Sequence, residues 1–137
     1  MATNAKHGKN AYFSLGGSSL TTYLTSIDVS ETVDMAETTA LGQSSKSYVP
    51  GMKDATISLS GWYSGTAAGG PDAVIAPLKG TASVTAFEYG PAGTASSEVK
   101  YTGSAFVSSY AVSSATGDTI AFSAELQVSG DVTRTTF

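Results

Sequence analysis

The sequence contains no cysteine and a single histidine, and only 13% of its 137 residues are charged. Without thiols there is no disulfide framework, no zinc–thiolate site and no cysteine nucleophile. The one imidazole, His7, lies in a polar N-terminal stretch, so a Ser-His-Asp arrangement would need that stretch carried into a cleft. Basic residues are equally scarce, seven against eleven acids, for a formal charge of −4. Surfaces that track phosphates are built from Lys and Arg, which argues against nucleic-acid wrapping. No apolar run approaches the ~18 residues of a membrane-crossing helix. The start, Met-Ala-Thr-Asn-Ala-Lys-His, lacks the apolar centre of a signal peptide, so the expectation is a protein made and left in a cytoplasm. Gly8-Lys9 lacks the earlier glycine of a phosphate loop, and no G-x-G-x-x-G occurs. Ser97-Glu-Val-Lys100 matches S-x-x-K, but it opens a predicted strand and its companion motifs are missing. The chain reads as a non-enzyme with no cofactor and no metal.

What is present is β-pattern. A chain of 137 residues suits one domain spanning 1–137, large enough to bury a core. Ser, Thr, Gly and Ala fill much of the composition, a sparsely charged surface that suits packing against copies of itself. Ala11, Phe13 and Leu15 alternate with polar neighbours, and Gly16-Gly17-Ser18-Ser19 then turns the chain. Ile27, Val29, Val33 and Met35 share one parity and Asp28, Ser30, Thr32 and Asp34 the other, with Glu31 an exception on the apolar face. The returning strand runs from Ala55 to Tyr63. A helix of about two turns is predicted from Asp72, as N-cap, to Gly80, limited by Pro77. Strands follow at 83–89, 98–112 and 119–129. Between Val99/Tyr101 and Phe106/Tyr110 the apolar parity changes around Gly103, as a bulge would cause. Residues 131–137 read as an edge strand or docking tail. The fold class is therefore mainly β: a β-sandwich or barrel with one short flanking α-helix and a long loop between early strands.

That loop, Gly42-Gln-Ser-Ser-Lys-Ser-Tyr-Val-Pro-Gly51, with Leu41 before it and Met52 after it, carries no catalytic chemistry. It is long by the few-residue standard of compact domains, and it bears apolar side chains that a partner would cover. Leu41, Tyr48, Val49, Pro50 and Met52 would supply contact, with Gln43, Ser44, Ser45 and Lys46 hydrogen-bonding at the rim. Glycine and serine leave such a loop loosely held until it is covered. The acids Asp28, Glu31, Asp34 and Glu37 recur every third residue, but alternation in a strand sends them to both faces, against a shared cation.

Asp28-Val-Ser-Glu-Thr-Val-Asp34, Glu37-Thr-Thr-Ala-Leu-Gly42 and Tyr48-Val-Pro-Gly-Met-Lys-Asp-Ala-Thr-Ile-Ser-Leu-Ser-Gly-Trp62 together resemble the core of phage tail tube proteins, also called major tail proteins. The similarity extends to Lys100-Tyr-Thr-Gly-Ser-Ala-Phe106 and Phe122-Ser-Ala-Glu-Leu-Gln-Val-Ser-Gly130, in order along most of the chain. The resemblance implies a structural virion protein, assembled in the bacterial host cytoplasm and located in the tail. Hexameric rings would stack into a hollow tube, other tail proteins would sit at its ends, and DNA would pass without specific binding. No membrane is involved. Residues 42–54 would then be the extended loop that reaches the neighbouring ring. Asp28 and Asp34 would face either the lumen or the neighbouring subunit. The acidic balance fits a wall that phosphates do not adhere to. The other reading open to the sequence is a carbohydrate-binding or adhesin-like β-sandwich, with Trp62, Tyr63, Tyr89 and Tyr110 offering ring faces to sugars.

Overall fold

Period-two patterning becomes strand wherever it is strong. In the computed structural model, which describes residues 8–65, 70–80 and 84–137, eight strands form one antiparallel sheet. β1 (Tyr12–Leu15) and β2 (Ser18–Ser19) are joined by Gly16-Gly17, both at positive φ (61° and 84°), a backbone that suits two-residue hairpins and costs glycine little. There follow β3 (Leu24–Glu37), β4 (Tyr48–Trp62), the helix α1 (Pro71–Ile75), β5 (Thr85–Gly90), β6 (Val99–Ser113), β7 (Ala121–Val128) and β8 (Thr133–Thr136). The order across the sheet is β2-β1-β5-β6-β7-β4-β3, with β8 also on β6. The mainly β class with one short helix is as expected, realised as a single continuous sheet. Phe13 of β1, Phe87 of β5, Val107 of β6, Leu126 of β7 and Ile57 of β4 all enter one buried cluster, so the sheet is rolled around its core.

The alternation on the central strands is strict. Ala55, Ile57 and Leu59 of β4 are buried while Thr56, Ser58 and Ser60 are exposed. Phe122, Ala124, Leu126 and Val128 of β7 do the same beside them. Each of the larger ones, Ile57, Leu59, Phe122, Leu126 and Val128, contributes about 1.5–3 kcal/mol by leaving water. Gly61 sits where the chain entering β3 crosses β4: a Cβ there would lie 2.1 Å from the Tyr23 carbonyl oxygen, and that oxygen accepts from Trp62 N at 2.8 Å. No side chain fits at that crossing.

Three local expectations shift. The parity change in β6 is real, but the bulge lies between Val107 and Ser109, whereas Gly103 pairs regularly with Phe87. The extra residue, Ser108, turns its hydroxyl onto the Glu125 carbonyl at 3.0 Å, so Ala105 and Val107 point inward before it and Tyr110 after it. The helix begins two residues earlier than the Asp72 cap implied. Pro71 takes the first turn, where its missing N–H costs nothing, and Gly70 becomes the cap residue with no side-chain cap bond. The path then tightens into a 3₁₀ turn at Ala76–Leu78, which contains Pro77. Residues 131–137 do carry a short strand, β8, which extends along the same edge of β6 that β7 occupies, pairing Thr102 to Val99 with Thr133 to Thr136. Last, the returning strand starts at Tyr48 instead of Ala55. Of the strand predicted at 83–89, the first residue, Ser83, lies outside the described residues.

Candidate assembly surface

The early return of β4 remakes the predicted loop. Only Thr38–Ser47 lacks strand structure, and 48–54 is paired with β3 through Glu37↔Tyr48, Ala36↔Val49, Met35↔Pro50, Val33↔Lys53 and Thr32↔Asp54. β7 accompanies β4 only from Thr56 to Trp62, so the β3–β4 pair beyond that point is a two-stranded arm. All of residues 31–46 and 48–54 are exposed. Seven residues of strand, 31–37, carry it about 20 Å from the last rung of β7. Pro50 and Gly51 look like loop signals in the sequence, yet both are tolerated here. In the arm β4 has one neighbour only, and a free edge accepts proline. The register also slips between Val33 and Met35, where β4 carries one extra residue at Gly51-Met52, a bulge facing Asp34.

Of the residues expected to meet a partner, Leu41, Gln43, Ser44, Ser45 and Lys46 are at the arm's tip, whereas Tyr48, Val49, Pro50 and Met52 are on its strands. Leu41 is fully exposed (104%) and Met52 nearly so (83%). Val33 and Met35, expected on the core-facing side of β3, are exposed on the arm as well, because β7 ends before they are reached; Val33 borders a crevice shared with Gly130, Asp131 and Val132. The tip is fastened at its base: Thr38 N donates to Ser47 O at 2.7 Å and Ser47 N to Thr39 Oγ1 at 2.9 Å. Gln43 is used within the tip, its N–H donating to Ala40 O and its side-chain oxygen accepting from Ala40 N. It is not a free rim group, and the tip has more internal order than glycine and serine alone imply.

At the arm's root sits a residue that the sequence did not flag. Gln127, on the last rung of β7 opposite Thr56, extends its side-chain amide past the end of that strand. Nε2 donates to Asp54 Oδ1 at 2.7 Å and to the Ala55 carbonyl at 3.1 Å, while Ala55 N donates to the same carboxylate oxygen at 3.0 Å. The backbone groups that β7 would have met are satisfied by a side chain, which fixes where body ends and arm begins.

Asp28 and Asp34 lie on the same side of β3, opposite Ser58 and the Gly51 bulge, while Glu31 and Glu37 share the other face with Ala55 and Tyr48. Among the described residues, no group of three or more His, Cys, Asp or Glu is gathered as metal ligands would be. The aromatics offered for sugar binding do not converge. Trp62 is half-exposed beside Ser113 and Asp118, whereas Tyr89 stacks on Tyr101 beside a different cleft lined by Val29 and Pro91. Burial, with the nearby Asp28 charge, raises the Tyr89 hydroxyl above its usual range. Tyr110 is turned inward, packed on Phe122, and its hydroxyl donates to Asp72 Oδ1 at 3.0 Å. Burial raises its pKa most, and the bond to the Asp72 carboxylate raises it further. This pair ties α1 to β6. Ser97 sits in a turn at φ 74°, and Lys100 is held by Glu88 at 3.8 Å and over the Phe137 ring at 5.0 Å. The S-x-x-K segment is thus a strand entry with its lysine engaged in packing.

No protein-family model and no curated protein matches the sequence. Solved structures do match the fold. A chain from the tail of an empty gene transfer agent particle, refined with C6 symmetry, superposes with a TM-score of 0.80 at 16% identity, covering 96% of this chain and 99% of that one. A subunit of the SPP1 tail tube gives 0.79 at 13% identity, over 97% of this chain and 80% of that one. The tube-terminating cap of the anti-feeding prophage gives 0.74 at 16% identity, over 100% and 95%. The chain has the fold shared by these tail and tube subunits.

Proposed function

We propose that the chain is a structural subunit of a tail tube, six copies forming a ring and rings stacking into a hollow conduit for DNA. The observation that carries this reading is the superposition on a gene transfer agent tail subunit over 96% of one chain and 99% of the other. The six-fold count rests on the C6 symmetry of that tail. The arm gives the reading a physical basis. A two-stranded hairpin with one free edge on each strand and exposed Met35, Leu41, Tyr48, Val49 and Met52 is poorly suited to standing alone in water. Covered by a neighbour, the same residues become an interface.

In this role the chain works by assembly, without catalysis, cofactor or metal. It resides in the tail of the virion after assembly in the bacterial cytoplasm, with distinct proteins closing the tube ends. The residues 41, 43–46, 48–50 and 52 are the ring-to-ring contact. Asp28 and Asp34, on one face of β3, line the lumen or the side-to-side contact between subunits. The net charge of −4 supports passage without retention, since like charge shortens the residence of phosphates on a wall. The test is electron microscopy of the purified protein at rising concentration. Tubes with six-fold cross-section are expected. Monodisperse monomers at every concentration would defeat the proposal, and single rings that never stack would point to a cap in place of a wall subunit.

A further inference from the structure

The large apolar side chains left in water gather at the two ends of β4. Val33, Met35, Leu41, Tyr48, Val49 and Met52 are on the arm; Trp62, Val112 and Ile120 are at the opposite end, with Val84 apart from both. The register fixes that second group together: Ala121 pairs with Trp62 on one side and Ser113 on the other, Val112 pairs with Phe122, and the Ile120 carbonyl accepts from Tyr63 N. β4 is fifteen residues long, which puts its ends, Tyr48 and Trp62, about 45–50 Å apart. Beside Trp62, which is 49% exposed, lies a cleft of ≈ 410 Å³ lined by Ser113, Ala115, Gly117, Asp118 and Ala121. Charge is complementary as well. Lys46 is the only charged residue in the tip segment 38–47, and Asp118 is the only one in the turn 114–119. Among the described residues neither takes part in an ion pair.

Two different patches at opposite ends of one molecule can meet head to tail, each copy offering its tip to the next, and where the rotation between copies does not close such a contact repeats into an open stack. Resting on the tube reading above, we infer that the arm tip of one copy docks into the Trp62–Asp118 cleft of the next, Leu41 against the indole and Lys46 beside Asp118. The receiving surface of the ring-to-ring contact is thereby the β6–β7 turn and the end of β4.

The absence of native cysteine allows a direct test. Lys46→Cys and Asp118→Cys variants, each alone and mixed, are oxidised and run on a non-reducing gel. The mixture is expected to give at least about tenfold more cross-linked dimer than either variant alone, because a head-to-tail contact joins unlike positions. Equal yields would overturn the docking whether or not tubes are seen. Charge reversal is the second arm. Lys46→Asp or Asp118→Lys should raise the concentration needed for polymer growth on the order of tenfold, and the double reversal should restore it. Single reversals without effect, or a double no better than the singles, would sink the assignment. Tubes without the cross-link defeat this inference and leave the tube reading standing; the cross-link without tubes does the reverse.

Discussion

Between Leu24 and Ser30, β3 pairs with a stretch of β4 that has β7 on its other side, and there Ile57 and Leu59 are buried and Ile27 and Val29 half-buried. Between Glu31 and Glu37 the same two strands continue without β7, and every residue on both is exposed except Ala55 at the boundary. The residue types hardly differ: Val29 and Val33 have the same side chain and the same parity on one strand. What separates them is the third strand. In the body, apolar side chains hold the fold; in the arm, they are available to another molecule. Mutation should therefore divide cleanly at the rung where Gln127 meets Asp54.

The largest effect is expected in the body. Leu59→Ala removes a fully buried side chain and should cost about 2–5 kcal/mol in urea unfolding. A loss well under 1 kcal/mol would mean that this stretch of β4 is not part of the core. Next comes Tyr110→Phe, which deletes the bond to Asp72 and should cost about 1.5 kcal/mol. Its pH signature sharpens the comparison. Below about pH 10 the tyrosine is neutral in both states; above it, the unfolded phenol ionises while the folded one is still held protonated. Stability should fall as pH rises through that range, and Tyr110→Phe should fall less steeply.

At the boundary itself, Gln127→Ala should lower global stability by only about 1 kcal/mol. Its main consequence is local: faster hydrogen exchange at the arm's root, at Asp54 and Ala55, with the β7 interior unchanged. If exchange speeds up equally throughout, the boundary is not where the structure puts it. The smallest stability effect belongs to the arm. Met52→Ala should change unfolding by no more than about 0.5 kcal/mol, since the side chain is already in water, yet it should shorten or abolish polymers. A large loss of stability would mean that the arm folds back onto the body.

The body was legible because burial imposes period two. The strict alternation of β4 and β7, the glycine turn after β1 and the strand-like parity of β3 could all be read directly. The arm was half-legible. Its apolar residues and missing chemistry pointed to a partner, but Pro50-Gly51 was read as loop, since proline normally excludes a ladder position, and only the absence of β7 from that stretch admits it. The same lack of burial removed the signal by which Val33 and Met35 could be told from core residues. Gln127 and Asp118 carried no local pattern at all. Their roles arise from the end of a neighbouring strand and from the opposite end of another copy, which no window of sequence contains.

Everything proposed for this chain turns on residues 31–54 being an exposed arm in the free subunit and a covered one in the assembly. Hydrogen exchange on both states, read peptide by peptide, tests it most directly. Little protection is expected for 31–54 in the monomer and strong new protection in the polymer, with Ile57, Leu59 and Leu126 protected in both. Polymers in which 31–54 exchange as fast as in the monomer would contradict it.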